Sequence, residues 1–477
     1  MRSKLLGSLA LLLPFSIARG DVSFRVHGKA WVDYGRIMHA EDTLVNTLTP
    51  DILNYNDNGL QSLGAQFTVL ADLSDHLEAG FGYGAYKASH AIGSKQTPFL
   101  TISLFQTFLT QSRLTWYTGE KEAPKLSVSI GGFPHIYNRD VKNLGLYLLR
   151  GSVYPGILVG GFQDFSADST MANTVGARFH HSSGMFSQDV ILNSERDIPP
   201  TFDWSLAYLA NMDFGFLRLG GGVNFYRLIP YNSKLLTPGK DTSVVRGGAR
   251  AGYIEVDPAN GDTTFFTHRG IKAGINASLD IKRLLGGING LGEDDLKLYT
   301  EAAVIGVENY GKAYGKIAER IPVMFGFNFP TWGILNHLSL EVEYYGAKYR
   351  NDLALVGNNN VVADWTIQEH RIPSAKPPSR SDYFIDSLGW YRFQNGDSIN
   401  VAGTALDKQN VTKDDLKWSL FADKVVAGHI QFMAQIANDH YRPRPVAQGL
   451  ISSLGGTAEA FASPKDWYFM FRVGYLF

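Results

Sequence analysis

The sequence predicts an all-β fold: one antiparallel β-barrel that crosses a membrane with its strands. Three observations carry this. Many runs of about ten residues alternate apolar and polar side chains in twos, the period at which a strand sends neighbours to opposite faces. After the N-terminal segment no stretch approaches the ~20 apolar residues that a spanning helix needs. The mean hydropathy is −0.10. That is far too polar for a helical membrane protein. It is ordinary for a barrel, whose alternation hides the apolar face from any average.

Taken in order, the chain opens on a basic start, Met1-Arg2-Ser3-Lys4, followed by an apolar run from Leu5 to Ile17 and the small-residue site Ala18-Arg19-Gly20. This predicts a secretory signal peptide over 1–20, cleaved after Gly20. There are no cysteines, so lipoprotein processing is excluded and disulfides do not hold the exported chain. Residues 21–477 are then expected to form a single barrel. Alternation begins almost at once. Phe24, Val26, Gly28, Ala30, Val32 and Tyr34 share one face, and Arg25, His27, Lys29, Trp31 and Asp33 the other. That leaves no room for an N-terminal plug, which argues against a plugged, energy-coupled receptor.

The same period recurs at Leu77–Ala85, Leu126–Ile130, Val175–Phe179, Leu217–Phe225, Leu338–Tyr344 and Ile430–Ile436. Short polar connectors separate some runs: Ser74-Asp75-His76, Ser182-Ser183-Gly184, Asn211-Met212-Asp213 and Pro330–Asn336. Others are joined by long stretches, roughly 40–60, 230–262, 351–415 and 439–465. Residues 351–415 carry an asparagine triplet and Pro373, Pro377 and Pro378, so they read as a long loop with room for a small fold of its own.

The chain closes on Trp467–Phe477, where Trp467, Phe469, Phe471, Val473, Tyr475 and Phe477 fall on one face. A soluble edge strand this aromatic would invite aggregation; facing lipid, it is at home. A terminal Phe with apolar or aromatic residues at every second position before it resembles the C-terminal signature of bacterial outer-membrane β-barrels. The matching positions are Phe469, Phe471, Val473, Tyr475 and Phe477. The resemblance implies that the barrel-assembly machinery of a Gram-negative-type bacterium reads this strand as an assembly signal. It implies outer-membrane lipid around the barrel, long loops outside, short turns in the periplasm, and a homo-oligomer as one assembly open to the class.

With both ends on the periplasmic side, the strand number must be even. About seventeen runs are clear in the sequence. Counting Asn143–Arg150 as a further short strand makes eighteen; if that stretch folds inward instead, and one other run is spurious, the number is sixteen. Either ring is too wide for side chains to fill, which predicts a water-filled channel.

The chemistry is that of a conduit. A net charge of −1 argues against nucleic acid as a partner. The sequence has no Gly-x-Ser-x-Gly, no His-Glu-x-x-His and no phosphate loop, so no enzyme class is indicated. His180-His181-Ser182-Ser183 reads as a hairpin end with an inward histidine. Asp257–Asp262 and Glu293-Asp294-Asp295 lack the spacing of a calcium loop. No metal or cofactor is expected. A charge facing lipid near the midplane costs roughly 2–4 kcal/mol, so charged strand residues are expected to point inward and line the pore. They are Arg25, Lys29, Asp33, Arg113, Arg178, Arg218, Glu301, Glu341, Glu343 and Arg472, joined by His27 and Glu78. The basic members come mostly from the N-terminal half and the last strand, the acidic ones from later strands. Arg25, Lys29 and Arg472 are expected to form one basic patch where the barrel closes. The expected function is a porin-like channel passing small hydrophilic solutes. Two other readings remain: an oligosaccharide-selective channel, for which Trp31, Tyr226 and Tyr345 are candidate lumen aromatics, and a structural or adhesive surface barrel.

Overall fold

The computed structural model describes residues 22–39, 43–45, 52–54, 59–94, 100–136, 138–141, 171–194, 202–229, 253–256, 263–266, 270–304, 307, 317–344, 383–385, 390–393, 398–400, 416–438 and 465–477. The expected signal peptide, the stretch Asn143–Arg150, the motif Asp257–Asp262 and most of 351–415 lie outside them. The first part of the chain forms β1 (Ser23–His39), β2 (Thr43–Val45), β3 (Ile52–Asn54), β4 (Gly59–Ser74), β5 (Leu77–Ser94), β6 (Leu100–Thr118) and β7 (Leu126–Ile136). Then follow β8 (Met171–Ser183), β9 (Phe186–Ser194), β10 (Trp204–Asp213), β11 (Leu217–Ile229), β12 (Tyr253–Val256), β13 (Thr263–Phe266) and β14 (Gly270–Asp280). A helical turn, α1 (Ile281–Leu284), leads to β15 (Lys297–Val304), β16 (Val323–Asn328) and β17 (His337–Tyr344). The remainder is β18 (Tyr383–Ile385), β19 (Trp390–Phe393), β20 (Ser398–Asn400), β21 (Leu416–Val426), β22 (Ile430–Ala437) and β23 (Trp467–Leu476).

The fold is a closed antiparallel barrel. Each wall strand pairs with the next along the chain, and β23 returns to β1 with Lys29 opposite Leu476 and Asp33 opposite Arg472. Sixteen strands close this ring, and short β2 and β3 extend the same sheet to eighteen. β7 pairs directly with β8, so no strand is inserted near residue 150. β12 pairs with β13, and β18–β20 make a three-stranded sheet within the long 351–415 stretch. Register keeps one face continuous around the whole ring. Asp33 opposes Ser62 on one side and Arg472 on the other, all on the polar face.

The two faces differ as the alternation predicts. Along β1, Trp31, Asp33, Gly35 and Ile37 are buried, whereas Val32, Tyr34 and Met38 are exposed. The exposed set around the ring includes Phe24, Phe81, Phe105, Ile130, Ile275, Phe325 and Phe471. In water this surface would be an aggregation hazard; it is the apolar band of a barrel that spans a membrane. Connectors sort by end. Those after β4, β6, β8, β10, β14, β16 and β21 are compact and lie at the end that holds Ser23 and Phe477, and the long ones lie at the other. Gly184 (φ 57°), Gly215 (φ 84°) and Gly428 (φ 76°) supply left-handed turn conformations that side chains resist. One expected turn moves: β10 runs on through Asn211-Met212-Asp213, and the chain reverses at Phe214–Phe216, where Asp213 accepts a hydrogen bond from the Gly215 amide at 2.8 Å.

Candidate functional site: the barrel interior

Register places all ten sequence-predicted charges on the interior face: Arg25, Lys29 and Asp33 of β1, Arg113 of β6, Arg178 of β8, Arg218 of β11, Glu301 of β15, Glu341 and Glu343 of β17, and Arg472 of β23. Most are not bare. They sit in clusters with partners that alternation alone did not select.

The first cluster lies at the short-turn end, across β1, β4, β5 and β6. Glu78, almost fully buried, accepts from Arg25 Nη2 at 3.0 Å and Arg113 Nη2 at 2.8 Å, and pairs with Lys121 Nζ at 2.7 Å. Asp72 pairs with Lys121 and, at 3.6 Å, with Arg25. Three cations thus meet two carboxylates, leaving one positive charge in excess. Burial works against the Lys121 ammonium, but its hydrogen bonds to Asp72 and Glu78 and their charges more than offset this and hold its pKa above the usual value. Arg113 also donates to Gln111 and Thr115 on its own strand, which fixes its guanidinium against the wall.

A second cluster joins β8 and β9. Asp189 accepts from Arg178 Nε at 2.8 Å and lies 2.8 Å from His180 Nδ1. The expected inward histidine is there, held by a carboxylate. Next to it Phe133, Ile191, Ala207 and Leu209 form a small apolar patch on the interior face.

The third group belongs to a segment that leaves the wall. After β7, Asn138–Val141 turns inward, the Asp140 amide donating to Asn138 Oδ1 at 3.1 Å. Asp140 then meets Arg218 Nη1 at 3.3 Å and Lys297 Nζ at 3.4 Å, on β11 and β15, four and six strands further round the ring. The segment therefore crosses the lumen and narrows it, anchored by charge. Asp213 and Asp294 complete the network on Arg218 and Lys297.

At the closing seam Asp33 accepts two hydrogen bonds from Arg472, at 2.5 and 2.8 Å, and one from Ser62 Oγ at 2.5 Å. Arg472 and Lys29 both lie over the Trp31 ring, at 5.5 and 5.9 Å from its centroid. This corrects the expected basic patch. Arg25 is paired with Glu78 and Arg472 with Asp33, so the three cations do not form an unscreened surface. The expected opposition of a basic and an acidic wall is likewise reduced, because Arg113, Arg178 and Arg218 each hold a local carboxylate. On the acidic side Glu341 accepts from Tyr299 Oη at 2.8 Å, and Glu343 stands opposite Lys417 in register.

Exposure divides the interior in two. Arg25, Arg113, Arg178 and Arg218, toward the short-turn end, keep between 21% and 47% of their side-chain surface. Farther along, Lys272, Glu301, Glu341, Glu343 and Lys417 are buried. The charges toward the short-turn end are thus part-exposed, each cation beside a carboxylate, and those farther along are enclosed. In Glu293-Asp294-Asp295, Asp295 accepts from Gly292 and Thr331, and Asp294 holds Lys297. Sequence reasoning passed over Asp72, Lys121, Asp140 and Asp189. The parity of Phe186–Ser194 could have revealed Asp189. The parity of Gly59–Ser74 could likewise have revealed Asp72, whereas Lys121 and Asp140 act from connectors, where strand period carries no signal. Tyr226 and Tyr345, proposed as lumen aromatics, have side chains outside the described residues.

No family model matches the chain, and no curated relative matches it. Among solved structures it is similar to mutants of the Rhodopseudomonas blastica porin. One matches at 8% identity over 95% of this chain and 100% of that one, with a TM-score of 0.39. It is also similar to in-vitro folded OmpT, an outer membrane protein of Vibrio cholerae, at 9% identity over 97% of this chain and 100% of that one, with a TM-score of 0.37. Likeness at this level carries no functional argument, and the reading below rests on the geometry.

Proposed function

We propose that the chain is a porin-like channel of a Gram-negative-type outer membrane, through which small hydrophilic solutes diffuse. One observation carries the reading: a closed ring of sixteen strands, apolar outside, has an interior face of held charges crossed by an inward segment at Asp140. Charges fixed on a hydrated wall favour polar solutes over apolar ones. The constriction restricts passage to small ones. On this reading residues 1–20 direct export, and Phe469, Phe471, Val473, Tyr475 and Phe477 present the assembly signal to the barrel-assembly machinery. The pore-lining set is the ten inward charges together with Glu78, Lys121 and Asp140.

Purified protein in a planar bilayer tests it. The expected result is steady conductance with a unit step smaller than an unobstructed ring of this strand number would give. Silence at all voltages would favour a structural or adhesive surface barrel; block by added sugar would favour an oligosaccharide channel. The cluster around Glu78 adds a sharper expectation. Arg25→Gln with Lys121→Gln turns its one excess positive charge into one excess negative charge, so the reversal potential in a salt gradient should move toward cation preference. The shift should be larger at low salt, because the Debye length is only about 8 Å at physiological ionic strength. An unchanged reversal potential at low salt would remove this cluster from the conduction path.

A further inference from the structure

Between β8 and β21 the successive short-end connectors are tied sideways into one ledge. The Asp213 amide donates to the Met185 carbonyl at 2.8 Å, Asp280 to Phe216 at 2.7 Å, Leu296 to Asn328 at 3.1 Å and Asn336 to Asp423 at 2.9 Å. Side chains reinforce it. Arg283 reaches the Gly215 carbonyl at 3.2 Å, Thr331 donates its amide and hydroxyl to Asp295 at 3.0 Å each, and Lys424 reaches the Gly333 carbonyl at 2.7 Å. The backbone of the ledge is held and bonded, yet large apolar side chains stand exposed on it: Phe214, Phe216, Leu285, Ile288, Trp332 and Ile334, the last two 66% and 75% exposed. Trp332 does so from a left-handed backbone (φ 51°), a conformation that a bulky residue adopts only at a cost. The connectors on the other side of the rim differ. Asp75-His76 and Gly119–Lys125 carry no large apolar residue.

We propose that this ledge is an interfacial foot. It lies in the headgroup layer of the leaflet at the short-turn end, so the rim from β8 to β17 is anchored in lipid while the rim from β4 to β7 stays in water. Two features select lipid rather than a protein partner as the occupant. The ledge continues the outward band of its own strands, where Met212, Leu219, Ile275, Phe325 and Leu340 are exposed. Its apolar residues also stand beside Lys282, Arg283 and Lys424, whose bonds to the Gly292, Gly215 and Gly333 carbonyls hold positive charge at the level of the turns. At a bilayer surface, basic side chains extend toward lipid phosphates while aromatic and aliphatic ones sink to the acyl boundary. The inference rests on the membrane-spanning reading and deepens it.

The absence of cysteine makes the test direct. Single variants Ile334→Cys, Ile288→Cys, Glu122→Cys and Ile275→Cys are labelled with an environment-sensitive fluorophore. They are reconstituted in phosphatidylcholine–phosphatidylglycerol vesicles containing lipid brominated near the glycerol end of its chains, with iodide on both sides. Labels at 334 and 288 should emit to the blue, lose about half or more of their emission to the brominated lipid, and be shielded from iodide, as expected for a surface at the acyl boundary. The label at 122 should be quenched by iodide alone. The label at 275, in the middle of the outward face, reports insertion. If 275 is lipid-quenched while 334 and 288 are as open to iodide as 122, the foot is overturned and the membrane reading stands. Shielding of 334 from both quenchers would also overturn it, in favour of a protein contact. If 275 itself is open to iodide, the membrane reading fails and the foot with it.

Discussion

Glycine at two strand positions is required by a ring that crosses it. On the interior face the Tyr299 ring lies over Gly326 to reach Glu341; a Cβ at Gly326 would stand 2.1 Å from that ring. On the outer face Phe477 covers Gly28, whose amide and carbonyl bond the Phe477 backbone at 2.7 and 3.0 Å. Such cover restores apolar contact where a strand lacks a side chain, and helps to pin register. Gly326→Ala and Tyr299→Phe should therefore act on the same hydrogen bond. Each is expected to cost about 1–3 kcal/mol in urea unfolding, and the double variant less than the sum of the two. Additive costs would show that ring position and hydrogen bond are independent. The inward register expected of Glu301 extends by period to Tyr299, but only pairing of β15 with β16 brings its ring over Gly326.

At the scale of the element, the seam between β1 and β23 decides closure. Its outer side is aromatic and aliphatic; its inner side is locked by Asp33 and Arg472. A buried pair of this kind adds little over an apolar pair, but breaking it strands a charge. Arg472→Ala is expected to cost about 3–5 kcal/mol, whereas Asp33→Asn combined with Arg472→Gln should cost less than either disruption alone. The temperature at which the folded barrel loses its compact gel mobility reads both. Equal losses for the single and double variants would mean that the pair contributes through packing alone. The seam also couples the expected basic patch to stability. Replacing Arg25, Lys29 and Arg472 with glutamate would not leave stability untouched, because Arg472→Glu sets a carboxylate against Asp33.

For the whole molecule, the longest connectors, after β7, β11, β17 and β22, all lie at one end, and β1 enters and β23 leaves at the other. A membrane barrel assembled from the periplasm keeps short turns on that side, since long polar loops are what it must send across. An epitope inserted beside Asn359 should accordingly bind antibody on intact cells, and one inserted at Asp75 only after permeabilisation. Access to both tags on intact cells, or to neither, would break the alternation on which the topology rests.

The sequence by itself determined the class, the strand faces and the inward set, because a two-residue period is a local property and a charge cannot face lipid cheaply. Phe24–Tyr34 and Trp467–Phe477 already separate their two faces without any partner. The number of strands in the ring, the pairing of each charge and the narrowing of the lumen were decided only by tertiary structure. Whether Arg25 stands free depends on Glu78, which approaches it from β5. Whether residues after Ile136 add a strand or fold inward depends on Arg218 and Lys297, on strands four and six places round the ring from β7. Electrostatic partnership acts through space, so residues far apart in sequence meet only when the ring has closed.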